Sequence, residues 1–458
     1  MRMNTLPSGK RVLFFIIVFA VVLRVCGFYL GYHFVGESGF LRGDPIGYVN
    51  LATSLGSGHG FAAFDGQTYI PQLFRTAGFP LLLAPFTLLP SGLLLYSVIM
   101  AILAGILLPL LVYAVGKRVT SERAALIAAF LIAFEPHSVM YSFLWLTEIP
   151  CMLFGLGGLL AAMVAYERSS YLYSALAGAL LGYAAFIRPG YMMIFVAGAL
   201  GTGAYLALKR DRGWRQMLVA CALIFITLSP AYLRMHALTG TYALSGGGWR
   251  NVYTDYLASL RSIKNGTPFS DEKNKLKDDA QKVLGINRAD VNNPANAGIL
   301  RNYSLAEAWA NRPSVVKLET ALLISFFIQD GYYYEFRNIG YLHEEIQPHI
   351  SPTREVLLHG FGAIPTLWQE LWRQRFIPVF GRTFTLLILF SAIAGFFIVK
   401  SPMRYLFAGV ILTAAVFATV IGLGLDARMR VPVEPLFFIF ASATFVWLWD
   451  LFKRRYAR

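Results

Sequence analysis

The chain has 458 residues, 57% of them hydrophobic and 14% charged, with a mean hydropathy of +0.56. A soluble domain carries about a quarter charged residues, so this composition excludes an ordinary soluble protein and indicates an all-α polytopic membrane protein. The formal net charge of +15 does not indicate nucleic acid: from Ala237 to Arg382 there are 16 basic and 14 acidic residues, and the excess lies elsewhere, mostly at the ends of apolar stretches.

About 20 apolar residues cross a bilayer as a helix. On that measure spans are expected near 12–34, 91–115, 124–142, 148–166, 171–187, 190–208, 216–236, 381–399, 405–424 and 432–451, about ten transmembrane helices in all. The first follows Lys10 and Arg11 and lacks a small-residue cleavage site, so it reads as an anchor rather than a removable leader. Lys10/Arg11, Lys117/Arg118/Arg123, Arg168, Lys209/Arg210/Arg212/Arg215, Lys400/Arg404 and Lys453/Arg454/Arg455/Arg458 fall on one side, which the positive-inside rule makes the cytoplasm. Both termini are then inside. Between the first two spans, Thr76–Pro90 is apolar but short and carries Pro80, Pro85 and Pro90, which reads as a re-entrant or interfacial helix. Pairs such as Gly27/Gly31 and Gly178/Gly182 fit close helix packing in lipid.

Two outer segments are long. The first, 36–74, holds Asp44 and the turn Asp65-Gly66. The second, 237–380, is polar and charge-balanced, with amphipathic, aromatic-rich stretches at Ala321–Ile328 and Val356–Trp372, and is expected to be a small, mostly helical outer domain on the acceptor side. Three units follow: 1–236, an N-terminal membrane module with the first outer loop; 237–380; and the C-terminal helices of 381–458.

Charges that the topology does not require are the next signal. Arg42, Arg75, Arg188, Arg234, Arg428 and Arg430 lie at outer ends of spans, and arginine binds phosphate through a planar fork. Each can also snorkel to ordinary phospholipid or pair with Glu135, Glu148, Asp426 or Glu434, the reading preferred for Arg42 and Arg234, whereas phosphate binding is preferred for Arg75 and for Arg428 with Arg430. Arg24 lies mid-span and calls for a structural partner. Asp44 has two readings, a helix cap or a catalytic acid, and Glu148 has two as well, a helix cap or the orienting partner of an arginine. The histidines are scattered, and Cys26, Cys151 and Cys221 lie singly, so no spacing points to a metal or redox centre.

The run Gly43-Asp44-Pro45…Tyr48…Leu51-Ala52…Leu55…Gly58-His59-Gly60-Phe61, followed by Phe74-Arg75-Thr76-Ala77-Gly78-Phe79-Pro80-Leu81, resembles the first outer loop of GT-C membrane glycosyltransferases. The family-39 type, with the protein O-mannosyltransferases and lipid A aminoarabinose transferases, is similar also at Thr147-Glu148-Ile149-Pro150, Arg188-Pro189-Gly190 and Ala427-Arg428-Met429-Arg430-Val431-Pro432-Val433-Glu434-Pro435. The resemblance implies transfer of a sugar from a polyprenyl-phosphate donor to a hydroxyl of a lipid, glycan or protein on the outer face, with inversion and without nucleic acid. It implies Asp44 as base and Arg75, Arg188, Arg428 and Arg430 as donor-phosphate ligands. Tyr48, Glu148 and His59 are expected to orient substrate. Pro45 stands where a second acid often follows, so no metal is assigned, although a divalent ion is compatible. A bacterial inner membrane with a periplasmic site is the setting the family implies. An O-antigen-type polymerase or ligase using a diphosphate-linked donor, or a multi-span transporter, are the alternatives; neither an internal repeat nor a Walker A motif supports transport.

Overall fold

The computed structural model describes residues 8–209, 211, 213–338, 355, 359–374, 376–422 and 426–456. Arg210, Arg212, Arg458, residues 356–358 and the Tyr334 side chain lie outside that description.

Among the described residues the regular structure is helical apart from one two-stranded hairpin. The N-terminal helix α1 (Ser8–Phe40) bends at Gly36, whose φ of 62° breaks the helical run. A short helix α2 (Asp44–Gly56), the hairpin strands β1 (Ala62–Phe64) and β2 (Tyr69–Pro71), and helix α3 (Gly78–Thr87) follow. Then come α4 (Gly92–Val119), α5 (Glu122–Phe134), α6 (Pro136–Met140), α7 (Glu148–Arg168), α8 (Tyr171–Ile187), α9 (Tyr191–Leu208) and α10 (Trp214–Thr239). The polar segment contributes α11 (Gly247–Asn251), α12 (Leu257–Asn265), α13 (Phe269–Lys282), α14 (Ala297–Ala310), α15 (Arg312–Ile328) and α16 (Tyr332–Asn338). Helix α17 (Ile364–Arg373) leads into α18 (Ile377–Ile398), α19 (Met403–Val420) and α20 (Glu434–Tyr456).

Among the described residues eight helices are long and apolar enough to cross a membrane, and the protein is an all-α integral membrane protein. The other two expected spans are shorter helices. The segment expected near 124–142 is divided: α5 ends at Phe134, because Pro136 has no N–H to continue the ladder and disfavours helix at Glu135. The segment near 171–187 is α8, whose 17 residues reach about 26 Å at the usual rise of ~1.5 Å per residue.

One apolar core runs through the bundle. Its centre is α20, where 72% of the most apolar stretch is buried, against 11% in α9 and α10, which face outward. Helix α20 packs on α18 and α5, and α8 packs on both α7 and α10. Gly178 and Gly182 lie at the α8–α10 contact: a Cβ at Gly178 would stand 2.3 Å from the Ala220 carbonyl oxygen. Gly27 and Gly31 instead make room for the Phe143 ring.

The break after α5 also explains Arg24. Its guanidinium is fully buried and donates to the carbonyls of Ala133 (3.0 Å) and Ile132 (3.1 Å) and to Ser138 Oγ (3.0 Å). Those carbonyls belong to the last turn of α5, where the break at Pro136 ends the backbone ladder that would otherwise satisfy them. The Ile132 carbonyl also accepts from Ser138 Oγ at 2.7 Å, so Arg24→Met strands chiefly the buried Ala133 carbonyl, and is expected to lower stability by about 2 kcal/mol, measured by thermal unfolding in detergent.

A second apolar cluster lies in the polar segment, built from Tyr253, Leu257, Leu260, Leu276, Leu300, Leu318 and Leu322. Arg261 braces it: the guanidinium forks onto Glu307 (2.6 and 2.8 Å) and reaches Asp279 (2.8 Å), joining α12, α13 and α14. Trp249 is partly buried against this cluster. Tyr332 and Tyr333 are buried.

Candidate functional site

Gly43 turns the chain into α2 with a φ of 73°, a left-handed conformation that glycine adopts without strain. Pro45 then fixes the first turn, so Asp44 sits at the helix start with its side chain set by the backbone. The carboxylate does not cap α2: its two oxygens accept from Arg75 Nη2 (2.9 Å) and Arg428 Nη1 (2.8 Å). The cap reading therefore does not describe this side chain.

Arg75 comes from the stretch after the hairpin, and its guanidinium lies over the Tyr48 ring at 4.3 Å. Gly47 lets it do so, since a Cβ there would come within 3.1 Å of the guanidinium nitrogens. A glycine inside a helix is a sequence signal for such close approach. Tyr48 in turn packs edge-on against Phe79 of α3, so α2 and α3 together hold Arg75.

Arg428 lies in a short 3-10 turn, where the Asp426 side chain caps its N–H at 3.0 Å. Besides Asp44, it donates through Nε to Glu148. Glu148 opens α7, is fully buried, and also accepts from Arg188 Nη1 at 2.6 Å. Arg188 ends α8 and makes a further contact to Met429 Sδ at 3.4 Å. Five residues distant in sequence thus form one network: Arg75, Asp44, Arg428, Glu148 and Arg188. Three cations against two carboxylates leave one positive charge. The network is closed at Glu148 (side chain 0% exposed) and open at Asp44 (42%). Burial opposes the charge on Asp44, but Arg428 and Arg75 outweigh it and lower its pKa to about 2.

The remaining expected residues lie apart. Arg430 is buried, pairs with Glu434 (3.0 Å) and donates to the Phe326 and Phe327 carbonyls at the end of α15. It shares no partner with Asp44 among the described residues, because two positions on in a 3-10 turn the side chain points elsewhere. His59 is exposed, stacks on Tyr69 of β2 (3.9 Å) and meets Ser57 Oγ (2.9 Å) at the end of α2. Arg234 is engaged by the Gln72 and Phe61 carbonyls, and Arg42 is exposed. The Asp65 carboxylate accepts from the Gln67 and Thr68 N–H groups in the hairpin turn.

Two groupings had no sequence signal. Glu135, His137 and Glu434 bring one ligand atom each within 4.8 Å of one another, all buried, and among the described residues they are the group able to hold a metal ion. Glu434 is supplied by the far end of the chain, which no local spacing reveals. Asp44 is not among these ligands. Beside them, Tyr141 donates to Glu335 of α16, whose carboxyl burial pushes up despite the opposing pull of His137, Tyr141 and Arg428.

Residues 76–233 match the family described as dolichyl-phosphate-mannose-protein mannosyltransferase. The match covers 158 of the 458 residues, from just before α3 into α10 of this integral membrane protein. No curated protein matches the sequence. Among solved structures, the chain is similar to the archaeal oligosaccharyltransferase AglB from Archaeoglobus fulgidus in complex with an inhibitory peptide and a dolichol-phosphate, with 17% identity and a TM-score of 0.49, covering 98% of this chain and 51% of that one. It is also similar to the Archaeoglobus fulgidus oligosaccharyltransferase complex with Zn and sulfate, with 16% identity and a TM-score of 0.45, covering 96% of this chain and 50% of that one. The chain thus spans about half the length of these structures.

Proposed function

We propose that the protein transfers a sugar from a polyprenyl-phosphate donor to an acceptor hydroxyl at the outer face of a bacterial inner membrane. The observation that carries this reading is the Asp44 carboxylate held between Arg75 and Arg428, in a network with one uncompensated positive charge. A phosphate fits that charge, and a carboxylate at the open end fits the acceptor hydroxyl.

In the reaction, the acceptor oxygen forms a bond to the anomeric carbon while its proton passes to Asp44. The bond from that carbon to the phosphate oxygen breaks, and the electron pair leaves with the polyprenyl phosphate. Arg75 and Arg428 stabilise the charge that accumulates there, as preorganised donors, and Arg188 supports them through Glu148. Attack from the side opposite the phosphate inverts the anomeric centre. The donor phosphate competes with Asp44 for the same guanidinium groups, so donor binding loosens the two ion pairs and restores basicity to a carboxylate that is otherwise too acidic to accept a proton readily. The lipid, glycan or protein that accepts the sugar meets this site from the side of the polar segment 237–380.

The pH dependence follows from the sign of the shift. Since Asp44 stays ionised down to about 2 in the free protein, kcat/KM is expected to be level through the acid range to roughly pH 3, wherever the fold survives. A limb near pH 5 that Asp44→Glu displaces would show that the free carboxylate titrates there, contrary to the ion-paired geometry. The pairing stabilises the fold above the ordinary carboxylate value of 3.8, and that contribution is lost as pH falls through about 2. The reaction itself is tested by presenting purified protein with polyprenyl-monophosphate sugars and an acceptor extract, and following release of polyprenyl phosphate.

A further inference from the structure

Helix α17 is built inside out. Ile364, Trp368 and Trp372 fall one turn apart on one stripe and are 59%, 56% and 61% exposed, and Phe361 just before them is 91% exposed. On the opposite side Glu370 and Gln374 are 8% and 7% exposed, and Gln374 Nε2 donates to Glu370 Oε1 at 2.6 Å. In water this arrangement leaves three large apolar side chains wet while the polar pair is turned inward.

The chain leaves α17 through Phe376, which takes a left-handed φ of 58°, and enters the spanning helix α18 at Ile377. Trp368, Trp372 and Phe376 pack edge-on in a single cluster, with ring centroids 4.8–6.5 Å apart. The aromatic stripe therefore meets the end of a membrane span through four residues of chain. We infer that α17 is an interfacial helix whose aromatic stripe is inserted into the outer boundary of the bilayer, among the headgroups and first methylenes of phospholipid. The polar seam of Glu370 and Gln374 then faces the protein, with Gln374 donating to Glu370.

This insertion fixes the depth of the neighbouring polar segment. Arg382, in the second turn of α18, pairs with Asp330 at 3.3 Å, and the short helix α16 that follows Asp330 carries Glu335 to Tyr141. The helix is thus a depth stop, and the inference stands independently of the reaction proposed above.

The test uses the full chain reconstituted in phosphatidylcholine bilayers. The tryptophan emission of Trp368→Phe/Trp372→Phe is subtracted from that of the unaltered protein, leaving the signal of the two indoles. The expected difference signal is blue-shifted, loses most of its intensity in bilayers with bromine on the upper methylenes, and is unmoved by aqueous iodide. A red-shifted signal quenched by iodide would place the stripe in water and overturn the inference. A signal quenched by neither would show that another part of the chain or a second copy covers the stripe, which overturns it equally. If the double variant does not fold, Trp372→Phe alone isolates the Trp372 indole, and the same outcomes are read from its signal.

Discussion

Asp44→Asn is expected to fold normally and to lose transfer by about 10²- to 10⁴-fold, the range that a positioned general base supplies. The substitution is nearly isosteric, and Asn retains an oxygen that can accept from one arginine. Its amide, however, cannot take a proton and presents an N–H₂ to the other guanidinium. Asp44 contributes no cap bond to α2, so the substitution costs the two ion pairs but no helix cap. Folding is checked by thermal unfolding and size-exclusion behaviour in the same detergent, and turnover by release of polyprenyl phosphate. A folded Asp44→Asn protein with near-normal turnover would exclude Asp44 as the base. Loss of folding with loss of turnover would be read instead from Asp44→Glu, which keeps the charge and moves the oxygens by one methylene.

Arg428 carries the second large effect. It bridges Asp44, at the open end of the network, to Glu148, which is completely enclosed. Arg428→Ala removes a donor to the departing phosphate, worth on the order of 10²- to 10³-fold in turnover by analogy with other preorganised donors. It also leaves Arg188 as the one cation on the buried Glu148 carboxylate, among the described residues, a loss of about 3 kcal/mol in stability. The two effects separate with Arg428→Lys. Lysine keeps the charge but cannot fork between two carboxylates, so stability returns in large part while turnover remains at least ~10-fold down. Equal recovery of both quantities would show that Arg428 acts through charge and folding alone. Arg75→Lys makes a useful control, since Arg75 meets a single carboxylate and the Tyr48 ring.

The sequence made the helices visible because a bilayer imposes a length and a polarity that composition alone reports. It also pointed to Asp44, Arg75, Glu148, Arg188 and Arg428, all of which the fold brings into one network. Arg75, Arg188 and Arg428 stood out as charges at the ends of apolar stretches that the topology did not require, whereas Asp44 as base rested on the family resemblance of its loop. Position along a span was not enough to separate Arg428 from Arg430, which differ by two residues: one turns to Asp44, the other to Glu434 and the α15 carbonyls. That choice is made by the 3-10 geometry of residues Ala427–Met429 and by the carbonyls left unsatisfied where α15 ends. The buried trio of Glu135, His137 and Glu434 was illegible for a related reason. Its members are joined by α20 packing through the middle of the bundle, a contact between opposite ends of the chain. The interruption of the segment near 124–142 was legible in principle, since Pro136 stands within it, but an apolar-length ruler ignores a single proline.

The most direct test of the central claim is donor selectivity. Purified wild-type protein and Asp44→Asn are each given matched polyprenyl-monophosphate and polyprenyl-diphosphate sugars with an acceptor extract, and the released lipid is identified by mass spectrometry. The account predicts polyprenyl phosphate from the monophosphate donor with wild type and none above background with the folded variant. Turnover of the diphosphate donor alone, or undiminished turnover by Asp44→Asn, would contradict it.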